Sequence, residues 1–369
     1  MIYLDNAATT FPKPRSVIRE TAKCLKYYCA NSGRSSHKLA IKTTEEIYST
    51  REILAKLVNF DKPENICFTS NATYALNMAI KGTLPRDSHI LTSDLEHNSV
   101  IRPLEKLKKT LGIEISKFST DGNVSKNIED AITNKTFAIV STLMSNVTGK
   151  EIQLSCLAEV ASKHKLLLIA DASQLIGHKG IDIRCIDRGV LCAPAHKGLF
   201  GIQGCGFAIF KDVIPHATVT EGGSGSESRS IVMPENLPER MEAGTLPAPS
   251  IVSLRAGIEF INDYTLEALD EKIAFLTECF TQRLQDINGL ELVSAQNGIL
   301  SFRMNQKSVS EIASYLDSFN IYVRDGLHCA PSAHEKLGTL STGLIRISLS
   351  VLNDTRDADA VWKKLKNMN

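Results

Sequence analysis

Short, nearly continuous apolar runs alternate along the chain with longer stretches in which apolar residues return at helical spacing. The runs NICFTS (65–70), HILTSD (89–94), FAIVSTLM (137–144), KLLLIADAS (165–173) and GFAIF (206–210) have the length and β-branched content of strands buried on both faces. Between them, Thr43 to Leu57 carries apolar residues at Ile47, Ile53, Leu54 and Leu57, and Cys156 to His164 is a second helical stretch. Strand, crossover helix and strand in succession predict an α/β domain with a mainly parallel sheet.

The segment GGSGSESRS (222–230) is small and polar, which predicts a loop. Helical patterning resumes at Ser250 to Tyr264. From Leu266 the pattern changes to a long helix (266–287), a strand (298–304), a helix (308–319), and strands at 321–324 and 344–350. A smaller α+β domain is expected there. We place the large domain at 15–249 and the small one at 250–369, with residues 1–14 as an arm joining the latter; no internal repeat interrupts this plan.

At 369 residues the chain can bury cores for two such units. Its 42 Lys and Arg against 41 Asp and Glu leave a formal charge of +1, without the sign bias of a nucleic-acid surface. No apolar run approaches membrane-spanning length, and MIYLDNAATTFPKPR lacks the basic-then-apolar plan of a leader. Nine cysteines, an odd number with no CxxC, fit reduced thiols better than a disulfide or metal framework. We therefore expect a cytoplasmic protein acting on a small polar molecule, with neither nucleic acid nor membrane as partner and no metal.

Candidate chemistry begins with Asp171, at the end of the run LLLIAD, and Lys197 in AHKG, both where α/β sheets bind ligands. Pyridoxal 5'-phosphate (PLP) needs such a pair. The amine forms a Schiff base, and the acid keeps the pyridine nitrogen protonated so that the ring acts as an electron sink. In FTSNATYALN (68–77) a strand runs into a helix whose free N–H groups, with the Ala72 N–H and the Thr73 hydroxyl, suit a phosphate. His97, just after another strand, is positioned to lie flat on a planar ring. Each of these has a plainer reading taken singly: a helix cap, a solvated lysine, an ordinary N-cap, a structural histidine. Their combination is what points to PLP.

Cys329 sits in DGLHCAPSAH, a polar loop flanked by Gly326 and Pro331, where His328, Arg324 and His334 are the groups expected to favour its thiolate. Arg346, in the buried-looking run IRISL, requires a carboxylate partner, which an amino-acid substrate would supply.

YLDNAATT (3–10), TSNATYALN, EHNSV, SNVTG (145–149), DASQ with GH (171–178), HKG (196–198), EAGT (242–245), RDGLHCAPSAH (324–334) and IRISL (345–349) follow one another in an order that resembles the class V aminotransferase-fold family, cysteine desulfurase and selenocysteine lyase type. The similarity runs from Tyr3 to about Asn353. It implies the PLP-dependent transferase fold type I, a large α/β/α domain with a mainly parallel sheet plus a smaller α+β C-terminal domain.

By this resemblance Lys197 holds PLP, Asp171 pairs with the pyridine nitrogen, His97 stacks on the ring, Gln174 contacts the ring hydroxyl, and Asn146 borders ring and substrate. The phosphate is held by Ala72, Thr73 and His196, and by Thr245 from the other subunit of a homodimer. Asn31, Arg34, His328, Arg346 and the backbone near Ala8 complete the substrate pocket.

The implied reaction converts L-cysteine to L-alanine: Lys197 removes the Cα proton, and the Cys329 thiolate takes the sulfur as a persulfide for a further acceptor, such as a protein. L-selenocysteine as substrate, a transamination that needs no thiol, and a non-catalytic sulfur-trafficking role are the alternatives. Two sites depart from the pattern. Pro194 and Ala195 stand where Ser or Thr and then Gly are usual, removing a phosphate hydroxyl that Ser224 is the candidate to replace. Asn71 and Tyr74 replace Gly and Glu, and a positive φ is expected at Asn71.

Overall fold

The computed structural model describes residues 1–33 and 35–368. A seven-stranded sheet is built, edge to edge, from Ile66–Thr69, Gly206–Lys211, Gly189–Pro194, Leu167–Asp171, Thr136–Thr142, His89–Ser93 and Glu114–Phe118. Gly206–Lys211 is antiparallel to both of its neighbours, and all other neighbouring pairs are parallel. The strands ending at Thr69, Ser93, Thr142, Asp171 and Pro194 therefore finish along the same edge. Loops leaving that edge form the crevice in which open α/β sheets hold ligands.

Alternation along each strand feeds two cores. Leu168, Ala170, Ile139 and Leu191 belong to one, and Leu167, Ile169, Val140 and Val190 to the other. The helices Ala72–Thr83 and Asn98–Leu111 close the second core with Ala75, Leu76, Val100 and Leu104. Leu157 of Leu154–Lys163 and Ile251, Leu254 and Ile258 of Ala248–Tyr264 close the first. A buried aliphatic side chain contributes about 1.5–3 kcal/mol in leaving water, so both faces must be covered and the layers are α/β/α.

A four-stranded antiparallel sheet follows, in the order Arg324–Gly326, Leu344–Ser348, Ile299–Met304 and Leu290–Gln296. Phe280, Ile312 and Val361, from the helices Leu266–Gln285, Val309–Asp317 and Thr355–Lys366, pack into the core beside it. Ser301 and Arg346 are partners across two of its strands. Both reach the loop after Thr136–Thr142: the Ser301 hydroxyl donates to the Val147 carbonyl at 2.6 Å, and Arg346 Nη1 donates to the Asn146 carbonyl at 2.9 Å.

The N-terminal arm stitches the two sheets together. Ile2–Tyr3 pairs in parallel with Ile321–Tyr322, and Asn6 Nδ2 donates to the Ser348 carbonyl at 2.9 Å. A few residues on, the Thr10 N–H donates to the His196 carbonyl at 3.0 Å and the Thr10 hydroxyl to the Lys197 carbonyl at 2.9 Å.

Several element limits differ from the pattern-based expectation. The expected strand 321–324 divides into Ile321–Tyr322, which pairs with the arm, and Arg324–Gly326, which pairs with Leu344–Ser348. The helix expected from Thr43 starts at Lys38, where His37 accepts the Ala40 N–H as N-cap. The strands Glu114–Phe118 and Leu290–Gln296 carry no strong apolar run, whereas Gly189–Pro194 is a short, wholly buried apolar run that the pattern-based expectation did not include. Among the described residues no helix is long and apolar enough to cross a membrane, and no group of three or more His, Cys, Asp or Glu side chains is arranged to hold a metal.

Candidate active site

One cavity at the shared strand edge is lined by Ala72, Thr73, His97, Asn146, Asp171, Gln174, His196, Lys197, His328 and Arg346, together with Pro194 and Arg324. Most of the expected site residues are therefore brought together, by loops from five different strands and from the smaller sheet.

The N-terminus of Ala72–Thr83 borders the cavity, and its free N–H groups suit a phosphate. Asn71 caps it, its side-chain oxygen accepting the Tyr74 N–H at 2.9 Å. Asn71 is extended (φ −174°), so the expected positive φ does not occur. Gly206 on the neighbouring strand instead allows the close backbone approach: a Cβ there would fall 2.4 Å from the Asn71 carbonyl carbon. The strand leading in is fixed by a buried ion pair. Glu242 accepts from Arg51 Nη2 at 2.5 and 2.6 Å and from the Phe68 N–H at 2.6 Å, while Arg51 Nε donates to the Ile66 carbonyl at 3.0 Å.

The Thr73 hydroxyl lies 2.7 Å from the Ser99 hydroxyl, which lies 2.9 Å from His97 Nδ1. His97 caps Asn98–Leu111, its Nδ1 accepting the Ser99 N–H at 3.0 Å. Burial pushes its pKa down to about 4, against the attraction of Asp171, so the ring is neutral. With Nδ1 accepting, its proton sits on Nε2. Glu96, one residue earlier, was not singled out in the sequence. It is wholly buried, accepts the Thr142 N–H at 2.9 Å, and is pushed by burial up to about 8.

Asp171 is buried at the end of its strand and accepts the Ser173 N–H at 2.9 Å. Lys197 lies on the loop after Gly189–Pro194. Its amine has no hydrogen-bond or ion-pair partner among the described residues. Burial lowers its pKa to about 8, opposed by Asp171 and reinforced by Arg346 and Arg324. The loop itself is tightly held, since the His196 carbonyl also accepts Lys13 Nζ at 3.0 Å. Gln174 Nε2 donates to the Ala7 carbonyl at 3.0 Å, bringing the backbone before Ala8 to the cavity.

Toward the smaller sheet, Asn146 Nδ2 donates to the His328 carbonyl at 2.7 Å. Arg346 Nη2 donates to Asp5 Oδ1 at 2.6 Å. The carboxylate expected from a substrate is thus already supplied by the chain; the need of a buried guanidinium was legible, its internal partner was not. Cys329 is exposed, and Arg324 Nη2 lies 3.8 Å from its sulfur. His328 departs from its expected role: it is buried, its ring nitrogens are engaged by His334 and by the Arg324 carbonyl, and burial beside Arg346 lowers its pKa to about 2. It supplies no positive charge to the thiol.

Asn31 and Thr245 are exposed and do not line the cavity of their own chain; nor does Ser224, the candidate replacement donor. Arg34 lies outside the described residues. The donor set fits PLP. Three of the buried polar atoms without a hydrogen-bond partner, His196 Nδ1, Asn146 Oδ1 and Arg346 Nε, are on residues of this cavity. Unpaired buried polar atoms are costly, and a ring with a phosphate and a bound amino acid offers the missing partners.

Comparison with known proteins agrees. The family model for aminotransferase class-V matches residues 2–361. A probable cysteine desulfurase of Methanothermobacter thermautotrophicus is 30% identical, covering 100% of this chain and 94% of its own length. A cysteine desulfurase of Escherichia coli is 26% identical, covering 94% and 93%. The apo structure of a cysteine desulfurase from Thermococcus onnurineus superposes with a TM-score of 0.87 at 25% identity, covering 100% of this chain and 94% of that one. With the sheet order, the shared strand edge and the cavity all in agreement, the chain belongs to the class-V aminotransferase family.

Proposed function

We propose that this protein is a PLP-dependent cysteine desulfurase, which converts L-cysteine to L-alanine and carries the sulfur as a persulfide on Cys329. The observation that carries the reading is the pairing, at one cavity, of a partnerless lysine of lowered pKa with a loop holding an exposed thiol beside a guanidinium.

Bound PLP supplies the electron sink that stabilises negative charge at the substrate Cα. Lys197 Nζ is the attachment point and, once released, the base that takes the Cα proton; its lowered pKa keeps a neutral fraction near physiological pH. Asp171 would hold the proton on the pyridine nitrogen. His97, neutral and fixed through Ser99, would cover one face of the ring, while the helix end at Ala72 and Thr73 with His196 would take the phosphate. Gln174 would serve the ring hydroxyl and Asn146 the substrate. Arg346 takes the substrate carboxylate. The Cys329 thiolate, whose sulfur lies 3.8 Å from Arg324 Nη2, attacks the substrate sulfur, whose bond to Cβ breaks with its electron pair moving to carbon; a proton taken up at Cβ and the return of a proton to Cα complete L-alanine.

In our reading Thr245, Asn31 and Arg34 serve the active site of the other subunit of a homodimer, which is why Thr245 and Asn31 stay clear of their own cavity. Nine free cysteines suit the reducing cytoplasm. A sulfur-acceptor protein would meet the exposed Cys329 loop. We take 15–249 and 250–369 as the two domains, with 1–14 joining the second, as the pairing of Ile2–Tyr3 with Ile321–Tyr322 supports.

Intact-protein mass spectrometry after L-cysteine tests the proposal. One extra sulfur on the wild type and none on Cys329→Ala is the expected result; undiminished alanine release by Cys329→Ala would rule the mechanism out and favour transamination.

A further inference from the structure

We propose that His328, His334 and Thr339 form a hydrogen-bond chain of fixed direction that holds Arg324 and the Cys329 thiol in register, which makes His334 a positioning residue for sulfur transfer. The inference rests on the reading of Cys329 as the sulfur acceptor.

His328 and His334 stack with ring centroids 5.4 Å apart, and His328 Nδ1 lies 3.2 Å from His334 Nε2. His334 Nδ1 lies 2.8 Å from the Thr339 hydroxyl, and His328 Nε2 lies 3.4 Å from the Arg324 carbonyl. All three side chains are buried. Burial pushes both imidazoles down in pKa, His328 further because Arg346 and Arg324 add positive charge, so each ring carries one proton.

Only one arrangement satisfies every atom. A carbonyl accepts and never donates, so His328 Nε2 must carry the proton toward Arg324 and its Nδ1 must accept. His334 then has to donate from Nε2, leaving its own Nδ1 as acceptor for the Thr339 hydroxyl. The reverse order would set a bare His328 Nε2 against a carbonyl oxygen, whereas the Thr339 hydroxyl can donate or accept. The Arg324 carbonyl thus sets the direction of the chain.

The chain ends where conformational control is needed. His328 (φ 51°) and Cys329 (φ 57°) occupy the left-handed region in succession, which non-glycine residues adopt only when surrounding contacts impose it. Asn146 holds the His328 carbonyl at 2.7 Å, and the Asn98 N–H holds the Cys329 carbonyl at 2.8 Å. The His chain supplies the remaining fixed point, the Arg324 carbonyl, and so sets the guanidinium 3.8 Å from the thiol sulfur.

The test is the pH profile of Cys329 alkylation by iodoacetamide in the full-length, PLP-loaded protein without L-cysteine, followed by mass spectrometry at that residue. His334→Gln keeps an N–H where Nε2 stands and should match the wild type. His334→Leu should raise the pH midpoint and slow alkylation at pH 7 by about threefold to tenfold while the PLP absorbance is retained. If His334→Leu does not retain PLP, Thr339→Val against Thr339→Ser makes the same comparison, with only Val expected to move the profile. A Leu (or Val) profile coincident with wild type, or a Gln (or Ser) variant as impaired as its apolar counterpart, overturns the proposal. Alkylation is read without turnover, so this outcome is separate from the fate of the desulfurase reading, which the Cys329→Ala alanine assay decides.

Discussion

Arg346 and Asp5 form an ion pair, Nη2 to Oδ1 at 2.6 Å, between a buried guanidinium that lines the cavity and a partly exposed carboxylate. A second guanidinium nitrogen is held by the Asn146 carbonyl, and Nε has no partner. In the proposed reaction, a substrate carboxylate and Asp5 would compete for one guanidinium.

Replacing Asp5 with Asn leaves that guanidinium buried without its counter-charge. Breaking one side of such a pair costs about 3–5 kcal/mol, and a bound carboxylate restores part of it. We predict a lower melting temperature for Asp5→Asn and a larger upward shift on adding L-alanine than the wild type shows. Equal ligand-induced shifts in thermal melts would contradict the competition.

Lys197 titrates at about 8, so in the apo-protein only its neutral amine attacks the PLP aldehyde. The rate at which the absorbance near about 420 nm develops on mixing with PLP should climb with pH to a plateau, with its midpoint near 8. The sign for stability is the same. The folded protein releases this proton more readily than the unfolded chain, so apo stability gains from this group as pH rises from the folded pKa toward the unfolded value. Lys197→Ala should give no such band and lose at least about a hundredfold in alanine formation. A midpoint near 10 would mean that the amine is not desolvated.

Pro194 occupies the cavity wall, where the family resemblance led us to expect a hydroxyl. As the last residue of its strand, it can be exchanged without breaking the ladder interior. Pro194→Thr should tighten PLP binding severalfold, the worth of about one hydrogen bond to a charged group. Fluorescence titration yielding an unchanged dissociation constant would show that the missing donor is compensated elsewhere.

Glu242 and Arg51 are both buried and jointly hold the Ile66 carbonyl and the Phe68 N–H. Glu242→Gln should destabilise the protein by about 3 kcal/mol in urea unfolding and weaken PLP retention, because the strand it holds delivers Asn71 to Thr73 to the phosphate. A fully retained cofactor would uncouple this pair from the site.

The sequence was most legible where structure is local. The runs ending at Thr69, Ser93, Thr142 and Asp171 are doubly buried strands, so their apolar character is unbroken and the residues that follow could be placed on one edge. What escaped was pairing at a distance. Asp5 meets Arg346 only because the arm is inserted beside the smaller sheet. The Arg51–Glu242 pair likewise joins a helix to a far loop. His328 misled for a physical reason: a histidine next to a cysteine suggests a cation, but the left-handed backbone at both residues turns its ring into the interior. Asn71 misled in the opposite way, since the steric allowance expected of it is provided by Gly206 on the neighbouring strand.

The arm that joins the two sheets also orders events in time. Residues 2–10 are synthesised long before residues 320–348, yet pair with them, and they simultaneously secure the carbonyls of His196 and Lys197. The first residues of the chain can make their contacts to the smaller sheet only after its last strands have been synthesised, so the two ends of the chain meet beside the lysine loop late in synthesis.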